Sequence, residues 1–317
     1  MGDGGERATT VFGLDLCADV ALPFLRAARA EPTGRRIDLT LREGEIEELE
    51  WPGSARLISD QRLPDGEVNF RIEEDPEAGY LIWGPGYGAN RISADGRNLL
   101  CTAGGAGADA WQRLLIAQVL PFAAVLRGLE VLHASAVVTG EGGVAFLGPS
   151  QAGKTSLAMA MCRRGATFLA DDVLALELAG ESLIGHPGTA VAGVDRAEAD
   201  RMLEAGELRS RDVVAADDRE RVVRVARAAE PAPLLALFFL DRRADGPDRP
   251  RFEPAADARM LLAATFNLVL AAPQRLQRLL DVCALAGRRR VERVTVGPAV
   301  DAATLGAAVE ERLGAPA

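Results

Sequence analysis

The segment "GVAFLGPSQAGKTSLAMAMCRRG", residues 143–165, constrains the chain more than any other. A short apolar run enters a turn made of Gly148, Pro149, Ser150, Gln151, Ala152 and Gly153, and Lys154, Thr155 and Ser156 then open a stretch with helical spacing. Glycines let successive backbone N–H groups turn inward, which builds a concave nest for an anion. A helix starting at once adds unpaired N–H groups and the positive end of its dipole. Strand, glycine-rich turn and helix, with G-x-x-x-x-G-K-T spacing, predict a phosphate-binding loop of the Walker A kind. In such a loop Lys154 neutralises phosphate charge and the Thr155 hydroxyl ligates Mg2+. Lys154 is the only lysine among 36 basic residues. A compact ammonium reaches between phosphate oxygens where a guanidinium fork is bulkier.

The remaining bulk properties narrow the function class. A chain of 317 residues makes one large domain or two ordinary ones, and 48% apolar residues supply a core. Its formal net charge of −10 argues against nucleic acid or an anionic membrane as partner. Cys17, Cys101, Cys162 and Cys283 include no close pair, which excludes metal knuckles and redox motifs and fits a reducing compartment. "MGDGGERATT" has no apolar signal core, and no run approaches the roughly 18 apolar residues of a spanning helix. The expectation is a soluble, cytoplasmic protein.

Two domains are expected. Residues 1–105 read as a small antiparallel β module, with alternating segments such as "RIDLTLRE" and "VNFRIEE" between turn signals. Asp109 falls near a helix start, and the apolar spacing over 111–129 predicts a helix that Pro121 kinks or splits. Residues 106–317 form the second, α/β domain. Strands are expected at 131–139 and 143–148, a helix from 154, and a strand over 166–178 interrupted by Asp171 and Asp172. The run "PLLALFFLD", 233–241, reads as a buried strand. Helices are expected over 257–270, 273–287 and 301–314, with a last strand over 291–297. Residues 188–230, rich in Arg and Glu, read as a helical insert.

His133 lies 15 residues before Gly148, and Asp171 and Asp172 lie 17 and 18 residues after Lys154. With these intervals, "LHASAVVTGEGGVAFLGPSQAGKTSLAMAMCRRGATFLADDVLALE" resembles the catalytic core of the HPr kinase/phosphorylase family. The likeness is greatest to HPr-kinase-like enzymes, which include the kinases of lasso-peptide pathways. It implies a P-loop kinase core related to HPr kinase and phosphoenolpyruvate carboxykinase, using ATP and Mg2+. By the same resemblance Asp171 is the general base, Asp172 joins Thr155 on Mg2+, and His133 sits near the acceptor or the γ-phosphate. The implied acceptor is a serine of a peptide or small protein, and the family's assembly implies a homo-oligomer. The glycine-rich stretch that follows the core in bifunctional members is absent, which argues against HPr itself as acceptor.

Adjacent carboxylates near one metal can have well-separated pKa values, one bound and one free to accept a proton. Their side chains leave opposite faces of a regular strand, so both serve only if the strand ends or bulges there. Other readings stay open. His133 equally suits a core histidine, and His186 is assigned nothing. Asp241 suits the metal-side aspartate of a different P-loop plan. Arg221, Arg224, Arg242 and Arg243 suit a phosphate clamp or ordinary surface charge. A small-molecule acceptor, or a nucleotide-binding regulator without transfer, is also open.

Overall fold

The computed structural model describes residues 7–25, 31–42, 44, 51–104, 110–255, 258–265 and 273–314. Contacts divide the chain into two compact units, Met1–Leu129 and Glu130–Ala317. In the first, β1 (Arg7–Val11) and β2 (Leu14–Ala18) make a hairpin, and β3 (Arg36–Arg42) follows. Strands β4 (Arg56–Arg62), β5 (Val68–Asp75), β6 (Gly79–Gly84), β7 (Gly88–Ile92) and β8 (Asn98–Thr102) form an antiparallel meander. All eight share one sheet, ordered β1-β2-β3-β8-β7-β6-β5-β4. The sheet is mixed rather than antiparallel, because β3 pairs in parallel with both β2 and β8. It joins hairpin and meander through long connections, which parallel pairing requires.

The helical segment follows as α1 (Ala110–Leu114), a π turn over Leu115–Val119, and α2 (Leu120–Leu126). Pro121 neither splits nor ends it. Proline lacks an N–H and its ring crowds the carbonyl four residues back. The wider turn, in which Leu120 N–H donates to Leu115 O, makes the needed room. Phe122 is fully buried and meets Tyr80 edge to face at 4.8 Å. These helices therefore group with the β sheet, and the boundary falls after Leu129 instead of at 105/106. Asp109 lies outside the described residues, as do residues 266–270 of the helix expected over 257–270.

The second unit opens with β9 (Glu130–Leu132), β10 (Ala134–Val138) and β11 (Gly143–Leu147), then α3 (Lys154–Arg163). Next come β12 (Thr167–Ala170), β13 (Leu174–Ala179) and β14 (Ser182–His186). The segment expected to be a helical insert is instead β15 (Val191–Asp195), α4 (Arg196–Glu204), β16 (Val213–Ala216) and β17 (Glu220–Arg224). Its three strands make a separate antiparallel sheet, ordered β15-β17-β16. Buried β-branched side chains at Val191, Val194, Val222 and Val223 favour the pleated state, and Glu220, Arg221 and Arg224 take the more solvated positions flanking the last pair. The chain closes with β18 (Ala232–Arg242), β19 (Arg251–Pro254), α5 (Ala258–Ala263), α6 (Pro273–Ala286), β20 (Arg290–Val296) and α7 (Ala302–Gly314).

Strand β18 is central: β11 and β20 lie parallel to it, and β14 pairs antiparallel with its first residues. Beyond β11 come β10 and β12. The apolar runs of β11 and β18 are buried on both faces. Val144, Phe146, Phe238 and Leu240 pack with Leu157 and Met161 of α3 and Leu305 and Val309 of α7. Ala145, Leu147, Leu237 and Phe239 pack on the other face with Leu261 of α5 and Leu279 and Val282 of α6. Among the described residues no helix is long and apolar enough to cross a membrane.

Phe238 is fully buried and stacks on Phe146 at 6.4 Å. Phe238→Ala should cost about 3–5 kcal/mol of the second unit's stability, read by denaturant unfolding. A loss under about 1 kcal/mol would mean that this face of the sheet is not its core.

Candidate active site

The turn between β11 and α3 has the conformation an anion nest needs. Gly148 has φ +143°, and a Cβ there would stand 2.7 Å from Leu240 O, so no other residue fits without moving β18. Gly153, with φ +92°, precedes the helix directly, and Gln151 also takes a positive φ of 65°. Ala152 N–H donates to Pro149 O. Among the described residues, no backbone acceptor receives the N–H of Gly153, Lys154, Thr155 or Ser156. Lys154 is buried, and its ammonium donates to the carbonyls of Gly148 (3.0 Å) and Pro149 (3.1 Å). Burial pushes its pKa down, against an opposing pull from Asp172 and Asp171.

The acidic doublet sits beside this nest, at a strand end. β12 stops at Ala170, and Val173 N–H donates back to Asp171 O at 2.6 Å across Asp172, which has φ +62°. A three-residue turn with positive φ at its centre is rare and strained. It swings the two carboxylates into different environments. Asp171 is buried: Oδ1 accepts from the hydroxyls of Thr155 (2.8 Å) and Ser135 (2.6 Å), and Oδ2 accepts from Gly193 N–H (3.0 Å). Burial, helped by the neighbouring Asp172 charge, nevertheless raises its pKa to about 6 against the pull of those three donors. Asp172 is 68% exposed in its side chain and faces the cavity.

His133 occupies the break between β9 and β10, anchored by its own N–H to Ala264 O. Its ring is not in the core: it is 44% exposed and lines the cavity. Nδ1 lies 3.0 Å from Asp172 O and 3.5 Å from Asp172 Oδ1, so an Nδ1–H donates to that carbonyl. The structure thus gathers Lys154, Thr155, Ser156, Asp172 and His133 around one cavity of about 1060 Å³, with Asp171 behind Thr155.

Three groups were invisible to sequence reasoning as parts of this site. Ser135 belongs to the quoted "LHASAVV" segment but carried no role there. Gly193 and Glu198, whose carboxylate accepts from Ser156 at 2.5 Å, come from the mis-read insert and reach the loop only through tertiary packing. Other candidates lie elsewhere. Asp241 is held by Arg243 (2.6 Å) and Arg221 donates to Asp200, so none of these three enters the cavity; Arg224 is exposed. His186 pairs with Glu177 across the β13–β14 hairpin. Arg242, by contrast, lines the cavity. Thr155 and Asp172, whose oxygens reach the cavity, suit Mg2+, an ion commonly completed by water and substrate phosphate.

No family model matches the sequence, and no curated protein matches it. Among solved structures, the Hpr(Ser) kinase/phosphatase from Coxiella burnetii is similar over 58% of this chain and 93% of its own, at 15% identity and a TM-score of 0.30. That likeness is too slight to assign a function, which rests on the site itself.

A carboxyl whose folded pKa exceeds its unfolded value binds more protons when folded, so its contribution to stability falls as pH rises. For Asp171 that fall spans the interval from about pH 4, the unfolded value, to about 6. Subtracting the Asp171→Asn curve from wild type, in ligand-free protein, should isolate a decline over this interval. A flat difference would place Asp171 in solvent.

Proposed function

We propose that this protein is an ATP- and Mg2+-dependent kinase that transfers the γ-phosphoryl group to a hydroxyl. The observation that carries this reading is the pairing of two unlike carboxylates with a phosphate nest. Asp171 is buried on the Thr155 hydroxyl, and Asp172 is exposed beside His133.

Phosphoryl transfer demands charge neutralisation and in-line positioning more than covalent help. The free amides of 153–156 and the Lys154 ammonium would hold the β- and γ-phosphates. Lys154 would leave the Gly148 and Pro149 carbonyls, which now keep it at the nest. Bound Mg2+ would supply further charge neutralisation, with the Thr155 hydroxyl toward it and Asp171 behind, accepting from that hydroxyl. This exchanges the roles expected from the resemblance. Both oxygens of Asp171 are engaged by protein donors and its carboxylate is buried, whereas Asp172 faces the cavity. Asp172 would then take the proton from the acceptor hydroxyl as that oxygen bonds to the γ-phosphorus and the bond to the leaving ADP oxygen breaks. His133, on the cavity wall, would orient the acceptor or the γ-phosphate. A cavity of about 1060 Å³ is large enough to take a nucleoside triphosphate. We take the acceptor to be a serine of a peptide or small protein, the class implied by the sequence resemblance.

Lys154→Ala should abolish measurable ATP binding, whereas Asp172→Asn should leave ATP affinity nearly unchanged and slow transfer by about 10²–10⁴. The pair is read by calorimetry and by labelled-phosphate transfer to a serine-containing peptide library. If Asp171→Asn rather than Asp172→Asn gives the selective loss of transfer, the roles revert. Unimpaired ATP binding by Lys154→Ala removes the reading altogether.

A further inference from the structure

The loop residues account for the phosphates of the donor but leave its nucleoside end unassigned. The sheet order supplies a direction. His133 and the acidic doublet lie at the ends of β10 and β12, on one flank of β11 and its loop. A γ-phosphate turned toward them leaves the α-phosphate and nucleoside to exit over the other flank, at the ends of β18 and β20.

At that place the same cavity continues. Its wall there is Arg242, the last residue of β18, with Pro298, Val300, Asp301, Ala302 and Ala303 from the segment after β20 and the start of α7, where Asp301 Oδ1 caps the helix by accepting from Thr304 N–H (2.7 Å). Arg242 differs from the arginines around it. Arg221 and Arg243 are each neutralised by a carboxylate, while Arg242 Nη1 donates to two carbonyls, Gly297 O (3.0 Å) and Val300 O (2.9 Å). No ion pair of Arg242 with an acid occurs among the described residues. Its Nη2 stands 3.8 Å from where a Gly153 Cβ would be, so the guanidinium lies at the edge of the phosphate nest. The two carbonyls fix its plane and tie it to the wall. A planar cation tied to that wall offers a face for stacking, and the one carboxylate there is taken up in capping α7.

We propose that Arg242 and the Pro298–Ala303 wall form the nucleoside subsite of this site, stacking the base of a nucleoside triphosphate with little discrimination between adenine and guanine. The proposal rests on the kinase reading above for the direction of the donor.

The test compares Mg2+ complexes of ATP, GTP and inorganic tripolyphosphate, by calorimetry, on wild type, Ala303→Trp and Arg242→Gln. Ala303 is exposed, so a tryptophan there fills the subsite without entering the core. Wild type should bind ATP at least about tenfold more tightly than tripolyphosphate, the scale of one base-stacking contact, and GTP nearly as well as ATP. In Ala303→Trp the advantage of ATP over tripolyphosphate should vanish while tripolyphosphate affinity is kept. Arg242→Gln should reduce the advantage in the same direction. An advantage undiminished in Ala303→Trp overturns the subsite and leaves the phosphate nest standing. A GTP affinity tenfold or more below that of ATP overturns the stacking mode. Failure of wild type to bind any of the three removes the nest, and the subsite with it.

Discussion

The buried carboxylate of Asp171 is the constraint on which the site depends. Its two oxygens accept from a hydroxyl on β10, a hydroxyl in the first turn of α3 and an amide of β15. One side chain therefore ties four separately folded pieces of the chain: the end of β12, the strand before the loop strand, the loop helix and the small three-stranded sheet. Desolvating an ionised carboxylate is costly, and three donors only partly offset it, which is why its pKa rests near 6 and not lower. A cation nearby would relieve that residual cost. Stored unfavourable electrostatics of this kind are common where a site awaits its ligand.

Around that link, the large sheet acts as a rigid frame. Strands β11, β18 and β20 run parallel, so the loop after β11, Arg242 at the end of β18 and the Gly297–Val300 segment after β20 all emerge at one end. Ligands in open α/β sheets bind at the carboxyl ends of the strands for this reason. Helices close both faces of the frame, and the N–H groups of 153–156 stand at this end. Lys154 is held at the same end by the carbonyls of Gly148 and Pro149.

Much of this was legible in the chain. The loop could be read because glycine at 148 and 153 has a steric cause and because a lone lysine stood out against an arginine-rich background. The strand break at the doublet was to be expected from two adjacent carboxylates serving one site, and the strained turn at Asp172 makes it, leaving one carboxylate buried and the other in the cavity. What stayed hidden has physical reasons too. Valines of β15 and β17 are spaced among charges in a way that local pattern does not separate from an exposed helix, so the wall carrying Gly193 and Glu198 was misassigned. The parallel pairing of β3 is a long-range choice with no local signal. Which aspartate is buried could not be known before Ser135 and Gly193 were placed around it. The domain edge was set too early because the helices at 110–126 look alike whichever core buries them.

The central claim is that the 148–156 turn grips a triphosphate beside Asp171 and Asp172. A crystal structure with Mg2+ and a non-hydrolysable ATP analogue tests it most directly. It should place the β- and γ-phosphates on the amides of 153–156, with the Lys154 ammonium moved from the carbonyls of Gly148 and Pro149 onto phosphate oxygens and the γ-phosphate facing Asp172. An analogue bound elsewhere, or a loop still closed on Lys154 with the analogue present at saturating concentration, would contradict the account.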